Sequence, residues 1–388
     1  MRRFVLLYSC FAVALLSCGR RTASEPQTAG DSLTFSHATL LTVTDHDGYS
    51  VAEINNPWKP GKLLHRYILV PRQTGSTSGS NTDAHVSSLP TDLPDGTVIE
   101  VPIRRAAVFT TVHCALLTEL GLGSSIVGVA DSKYIKIPYI HEQIKKGNIV
   151  DCGNGLNPVV EKIMDVKPEV ILLSPFENSG GYGKTEEIGI PIVECAEYME
   201  TSPLARAEWM RFYGRLFGVG DRADSLFSAV DSSYTALHRQ AEAAGRGRSL
   251  IIDKVVGSVW YMPGGRSTIG QMVLQAGGDY PWADDTQSGS LSLPFETVLE
   301  RGGEADTWLV RYSSDHDWDY AELLSGHPGY AHLKAFRQHE VYGCNVELSH
   351  FYEETPFHPD RLLSDFIRIL HPDIIGLPPL RYYKKLKE

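Results

Sequence analysis

The sequence predicts an α/β protein of two lobes, each built on a parallel sheet, joined by one long helix and preceded by a β-rich extension. Three observations carry this. Short apolar runs alternate with helical segments twice along the chain, before and after residue 221, the pattern of parallel sheets covered on both faces. Between the two sets, residues 221–244 hold one 3.6-residue apolar period through Ala223, Leu226, Phe227, Val230, Tyr234, Leu237 and Ala241. Ahead of both, residues 37–104 carry strand-like runs and turn residues. With 388 residues and 42% hydrophobic content, the chain is long enough for two packed cores.

The N-terminus sets the compartment. Met1-Arg2-Arg3 is a positive start, and an apolar run follows to Leu16. That run is too short to span a bilayer and is flanked as an export signal is. It closes on Leu15-Leu16-Ser17-Cys18-Gly19, which resembles the lipobox of bacterial lipoproteins. The resemblance implies a signal peptide over residues 1–17, acylation of Cys18 and attachment to a membrane through the lipid. A plain secretory signal is the alternative, and Cys10, after a shorter apolar run, is the poorer candidate. Residues 18–36, rich in Arg, Ser, Thr, Gln and Gly, read as a flexible tether. No later apolar segment has membrane-spanning length. The formal charge is −11, and removal of Arg2 and Arg3 makes the mature chain more acidic still. Such a chain lacks the basic footprint of nucleic-acid binding. Cys114, Cys152, Cys195 and Cys344 are widely and irregularly spaced; they match no zinc motif and read as buried free thiols.

Within the extension, Leu64-His65-Arg66-Tyr67-Ile68-Leu69-Val70 has the β-branched and aromatic content of a strand. Residues 74–83, dense in Gly, Ser, Thr and Asn, read as a mobile loop. The N-lobe, residues 105–220, begins with a strand at Ala106-Ala107-Val108-Phe109 and a helix over 112–120. Strands over 126–130, 169–174 and 191–195 and helices over 161–166 and 202–217 complete it. The linking helix, assigned to residues 221–245, is closed by Gly245 and Gly247. The C-lobe, residues 246–388, repeats the alternation: strands over 249–256, 307–312 and 341–344, with helices over 268–276, 295–301 and 359–370. A cleft between two such lobes is the expected ligand site.

Particular residues add a family. Val108-Phe109-Thr110-Thr111-Val112-His113, then Leu120-Gly121-Leu122-Gly123-Ser124-Ser125-Ile126-Val127-Gly128-Val129, resembles the opening of the helix-linked (class III) periplasmic solute-binding proteins. These serve ABC importers of ferric siderophores, haem and vitamin B12. Asn157-Pro158-Val159-Val160-Glu161-Lys162-Ile163, followed by Val166-Lys167-Pro168-Glu169-Val170-Ile171, resembles the family's most recognisable stretch. Pro294-Phe295-Glu296-Thr297-Val298-Leu299 and Ala305-Asp306-Thr307-Trp308-Leu309-Val310 repeat it more loosely. The resemblance runs from about residue 105 to residue 370 and leaves the β-rich extension uncovered. It implies two Rossmann-like lobes and a periplasmic, envelope-anchored monomer that carries a metal chelate to a permease dimer with its ATPase subunits. It also implies that Glu161 and Glu296, one at the tip of each lobe, meet arginines of the two permease subunits. Charge-assisted carboxylate–guanidinium pairs fix geometry as well as contribute energy. Each glutamate follows a proline near a helix start, by three residues for Glu161 and two for Glu296.

Loops after the strands should line the cleft. In the N-lobe these give Thr110, Thr111, His113, Ser174 and Tyr182. The glycine-rich run Ser174-Pro175-Phe176-Glu177-Asn178-Ser179-Gly180-Gly181-Tyr182-Gly183, which carries an aromatic, belongs to the same expected lining. In the C-lobe, Trp260 and Tyr261, then Tyr352, Phe357 and His358, supply the aromatic faces and polar groups that hold large planar chelates. Core packing is the alternative for each aromatic. His113 is expected near a helix N-terminus, where its cationic form is disfavoured. A bare Zn, Mn or Fe ion is the second cargo reading, with His113, His350, His358, Glu353 and Glu354 as ligands. No tight histidine spacing supports it, so neither metal ligands nor a resident cofactor are assigned. An enzyme on a related scaffold is the third reading; Gly-x-Ser-x-Gly, His-Glu-x-x-His and a dinucleotide fingerprint are all missing.

Overall fold

The computed structural model describes residues 32–72, 93–177 and 181–388. The leader, Cys18, nearly all of the tether, the loop over 74–83 and residues 178–180 lie outside the described residues. One continuous apolar core runs from Leu41 in the extension to Leu386 near the C-terminus. Extension, N-lobe, linking helix and C-lobe therefore share one packed interior.

The extension is a five-stranded sheet. Ser32–Leu33, Leu41–His46, Tyr49–Asn55 and Leu63–Pro71 pair antiparallel in sequence order, and Thr97–Val101 closes the sheet parallel to Leu63–Pro71. Two buried carboxylates of the N-lobe hold its entry segment. Glu208 accepts the backbone N–H groups of Ser36, His37 and Ala38, each at 2.8 Å. Glu200 accepts those of Thr39 and Leu40 at 3.0 and 2.9 Å, together with the Trp209 indole N–H at 3.0 Å. Donors that water would otherwise satisfy are thus paired inside the protein. The predicted helix over 202–217 is two helices, Pro203–Glu208 and Met210–Leu216. The turn tightens at Trp209, where Phe212 N–H bonds to Trp209 O at 3.0 Å, beside the two residues that serve the clamp.

The N-lobe sheet has the order Ile192–Glu194, Val170–Leu173, Ala106–Val108, Ile126–Val129, Val150–Asp151, all parallel. Its four longer strands are buried throughout, as helices on both faces require. The edge at Ile192–Glu194 is covered by the extension. The Tyr67 hydroxyl donates to Ile192 O at 3.1 Å and accepts from Glu194 N–H at 2.9 Å. Occupying an exposed edge in this way removes a template for unwanted pairing.

The linking helix is Gly220–Ala244, 25 residues, or about 37 Å at 1.5 Å per residue. Ala223, Phe227, Val230, Tyr234 and Ala241 form its buried stripe. It ends at Gly245, whose φ of +80° is readily adopted by glycine.

The C-lobe departs from a purely parallel sheet. Leu250–Ile252, Thr307–Tyr312 and Val341–Asn345 are parallel, but Lys384–Lys385 adds an antiparallel edge. A separate antiparallel sheet is made of Val255–Val256, Val259–Pro263 and Ser290–Leu293. The predicted strand over 249–256 is divided by Asp253, at φ +65°, which turns the chain from one sheet into the other. Its carboxylate holds Arg311 through two bonds of 2.7 and 2.5 Å. The helix Pro359–Leu370 packs on the linking helix, and the tail returns over it. Asp365 accepts the N–H groups of Arg381, Tyr382 and Tyr383. Glu354 pairs with Arg381 through two bonds of 2.7 Å, and with Tyr382 and Arg361.

Two predictions follow from these carboxylates. Glu208→Ala leaves three backbone donors and Arg211 without their acceptor. Urea unfolding should show a loss of about 3 kcal/mol, and limited proteolysis should release the extension; an unchanged midpoint would exclude the clamp. For Glu354, burial raises the pKa but is outweighed by Arg381, Tyr382 and Arg361, so the carboxyl sits at about 2. A folded value below the unfolded one contributes stability that is present above about 4.5 and is lost as pH falls towards 2. Glu354→Gln should therefore cost about 2 kcal/mol at neutral pH and flatten the acid limb of the stability curve, read by denaturant melts at several pH values.

Candidate ligand-binding site

The N-lobe strands end at a cavity of about 640 Å³. Phe109 and Thr110 follow the strand Ala106–Val108, Asp131 follows Ile126–Val129, and Ser174 and Phe176 follow Val170–Leu173. Carboxyl ends of parallel strands are where such sheets bind ligands, because side chains converge there from separate loops. A hairpin, Gly153–Asn154 with Asn157–Pro158, supplies Leu156 and Asn157. Asp131 pins this hairpin by accepting Gly155 N–H at 2.8 Å. Leu156 is 83% and Phe176 49% exposed, so two large apolar side chains stand free at the cavity. Lys184 and Tyr182 complete the wall. The Tyr182 hydroxyl donates to Glu194 Oε1 at 2.5 Å. Burial, then that hydrogen bond and the carboxylate's charge, push the phenol well above its ordinary range, so it stays a protonated donor. A recess of about 450 Å³ adjoins the cavity through Gly181 and Tyr182 and is walled by Leu64, His65 and Thr97 of the extension.

Of the residues expected to line a cleft, Thr110, Ser174 and Tyr182 meet at this cavity. The others do not join them. Trp260 is fully buried among Trp308, Phe295 and Tyr330, with its indole N–H on Ile252 O at 2.7 Å. It lies in the strand Val259–Pro263, where successive side chains face opposite ways; Tyr261 is accordingly 46% exposed, away from the cavity. Thr111 and His358 belong to the contact between the lobes. The Thr111 hydroxyl donates to Glu353 at 3.3 Å, and the His358 ring lies 2.7 Å from Glu119. Lys136 joins them through its N–H to Glu353 and its ammonium to Glu347. Tyr352, half exposed, lines a smaller inter-lobe cavity of about 210 Å³. Phe357 is buried against His113 and Tyr213.

The lobes thus touch directly, and this cavity is walled by the N-lobe alone. The lining residues not singled out from the sequence include Phe109, Asp131, Leu156, Asn157, Phe176 and Lys184. Phe176 stood inside the glycine-rich run; Leu156, an apolar residue between turn formers, was the other readable signal.

His113 differs from expectation. It is 1% exposed, third residue of the helix Thr111–Glu119, with Nε2 3.5 Å from Glu197 Oε1. Burial lowers its pKa, but the charges of Cys195 and Glu197 beside it outweigh burial and raise it to about 10. The cationic form is favoured rather than disfavoured. The five residues of the bare-ion reading do not converge, since His358 meets Glu119, Glu353 meets Thr111, and Glu354 meets Arg381; His350 is exposed. All four cysteines described are buried and unpaired.

Glu161 and Glu296 occupy equivalent places. The helix Val160–Val166 has Val159 as its cap and Phe295–Gly302 has Pro294. Each glutamate is therefore the second helical residue, although the prolines sit at different positions. Both are exposed, and neither forms an ion pair with another described residue. A carboxylate there is favoured by the helix dipole.

Among the described residues no helix is long and apolar enough to cross a membrane. The periplasmic binding protein family model matches residues 107–348, more than half of the chain. An uncharacterised lipoprotein of Methanocaldococcus jannaschii is 27% identical over 286 residues, covering 71% of this chain and 67% of its own length. A second uncharacterised lipoprotein of that organism is 24% identical, covering 76% and 77%. A periplasmic haem-binding protein from Pseudomonas aeruginosa has the same fold at TM-score 0.57 and 13% identity, covering 74% of this chain and 99% of that one. An ABC-type Fe3+-hydroxamate transport protein from Saccharomonospora viridis matches at TM-score 0.54 and 20% identity, covering 69% and 93%. With two α/β lobes joined by one long helix, the chain belongs to the periplasmic binding protein family, in its helix-linked class.

Proposed function

We propose that this solute-binding protein captures a metal chelate, an iron siderophore, haem or cobalamin, in the N-lobe cavity and delivers it to an ABC permease while anchored through lipid on Cys18. The observation that carries the reading is the cavity itself. Its volume of about 640 Å³ suits a ligand of drug size or larger. Its wall mixes Phe109, Phe176 and Tyr182 with Asp131, Asn157 and Lys184, apolar faces with a few orienting polar groups. Among the described residues no set of three metal-ligating side chains lines it, which favours a chelate over a bare ion. The names of the relatives support the lipid anchor, and those of the structural neighbours support iron chelates and haem. Glu161 and Glu296, exposed at matching helix positions, are the proposed contacts with the permease arginines.

Intrinsic fluorescence titration with a ferric hydroxamate, haemin and cobalamin should give saturable quenching by one of the three and none by free Zn2+ or Mn2+. Phe176→Ala and Tyr182→Ala should each weaken that binding about fivefold or more, since a lost aromatic face is worth about 1 kcal/mol or above. Trp260→Phe should leave it unchanged. Quenching by free metal salts alone would replace the chelate reading with the bare-ion one. Glu161→Arg with Glu296→Arg should stop uptake at unchanged ligand affinity, and lost affinity in that variant would remove the docking assignment.

A further inference from the structure

We propose that His113, Cys195 and Glu197 form a buried site for one zinc-class divalent cation inside the N-lobe, separate from the cargo cavity. The three come from the first turn of Thr111–Glu119, the residue after the strand Ile192–Glu194, and the turn Glu197–Met199. Their ligating atoms lie within 4.8 Å of one another, and the residues are 1%, 0% and 2% exposed. Tetrahedral zinc places such atoms about 3.3–3.8 Å apart, a contraction that side-chain rotation supplies. His113 Nε2 and Glu197 Oε1 are already at 3.5 Å.

The second observation is a buried ring nitrogen aimed at the cluster. His113 Nε2 is buried, makes no hydrogen bond and has only the 3.5 Å ion-pair contact with Glu197, while Nδ1 is bonded to the Thr110 hydroxyl. Loading displaces the Nε2 proton; with Nδ1–H donating to the Thr110 oxygen, the lone pair so freed points to the cluster, which is how a metal-bound histidine is set by its outer partner. Glu197 is oriented similarly, its other oxygen accepting the Tyr213 hydroxyl at 2.9 Å.

The donor set selects the ion. A thiolate, an imidazole nitrogen and one carboxylate suit Zn2+ and disfavour Mg2+ or Ca2+, which take oxygen. A deprotonated Cys195, a neutral His113 and an ionised Glu197 together balance two positive charges; loading releases the displaced protons to solvent. Arg206, a buried cation acting on Glu197, works against the ion and would be the counter-charge of the unloaded cluster. Phe357 of the C-lobe packs over His113 at 5.9 Å between ring centroids. The site is therefore sealed by the lobe contact, and the ion enters as the chain folds. It ties the helix that begins at the cavity wall to the end of the adjacent sheet edge.

The test needs no cargo and does not depend on which chelate is carried. Full-length protein is refolded with Zn2+ or Co2+, freed of unbound metal and assayed for metal content. One equivalent is expected, with a near-ultraviolet thiolate-to-cobalt charge-transfer band and retention of the ion against chelator until the protein is unfolded. Cys195→Ser should abolish the band, and Thr110→Val should weaken binding about 10–100-fold at unchanged stoichiometry. Cys152→Ser, a buried thiol elsewhere, should keep both metal and band. Refolded wild-type protein with no bound metal and no band would overturn the proposal in favour of a buried ion pair. A band surviving in Cys195→Ser would overturn it as well, and that variant's far-ultraviolet circular dichroism checks its fold.

Discussion

One large hydrophobic core, continuous from the extension through both lobes, is the constraint on which the rest depends. The linking helix makes it continuous. Its buried stripe from Ala223 to Ala241 packs against Met210–Leu216 on the N-lobe side and Pro359–Leu370 on the C-lobe side. A helix about 37 Å long with no proline and no glycine after its first residue curves only gently and does not kink. The lobes are therefore held at a defined spacing, and the loops at the strand ends can build a site of fixed shape.

Buried carboxylates do the local work that the core cannot. Glu200 and Glu208 collect the backbone donors of residues 36–40, and Asp365 collects those of residues 381–383. Both ends of the described fold are thus tied down by carboxylate acceptors as well as by apolar area. Such bonds are stronger than neutral ones and are directional. They also explain how an added sheet becomes part of the protein instead of a loose appendage. Tyr67 then places that sheet on the exposed edge of the N-lobe sheet, and His65 brings it beside Glu194, the partner of Tyr182. The extension consequently contributes a wall to the recess next to the cavity.

Contact between the lobes includes a compact set of polar pairs beside the apolar core. Thr111 and Lys136 meet Glu353, Lys136 meets Glu347, and Glu119 meets His358 and Arg361. These pairs keep the lobes together beside the cavity, since Thr110 of the wall adjoins Thr111 of the contact. The same helix start carries His113, so cavity wall, lobe contact and buried cluster share one turn of backbone. A change in any of them is felt by the other two.

The sequence by itself determined what depends on local pattern. The apolar period of residues 221–244, the runs at 106–109 and 169–174, and the alternation around them gave these strands and the linking helix close to their observed ends. Quoted stretches around Glu161 and Glu296 were enough for the family, and the structure added that both glutamates are second helical residues. Only the tertiary structure decided what depends on direction. Trp260 and Tyr261 are neighbours in a strand and must face opposite ways, so one is core and the other surface. Phe357 turned inward onto His113, while Phe176 and Leu156 turned out to the cavity. Asp253 at positive φ divided one predicted strand between two sheets. The meeting of His113 with Cys195 and Glu197, some 80 residues apart, follows from strand order in a parallel sheet, which leaves no mark in the spacing of the chain.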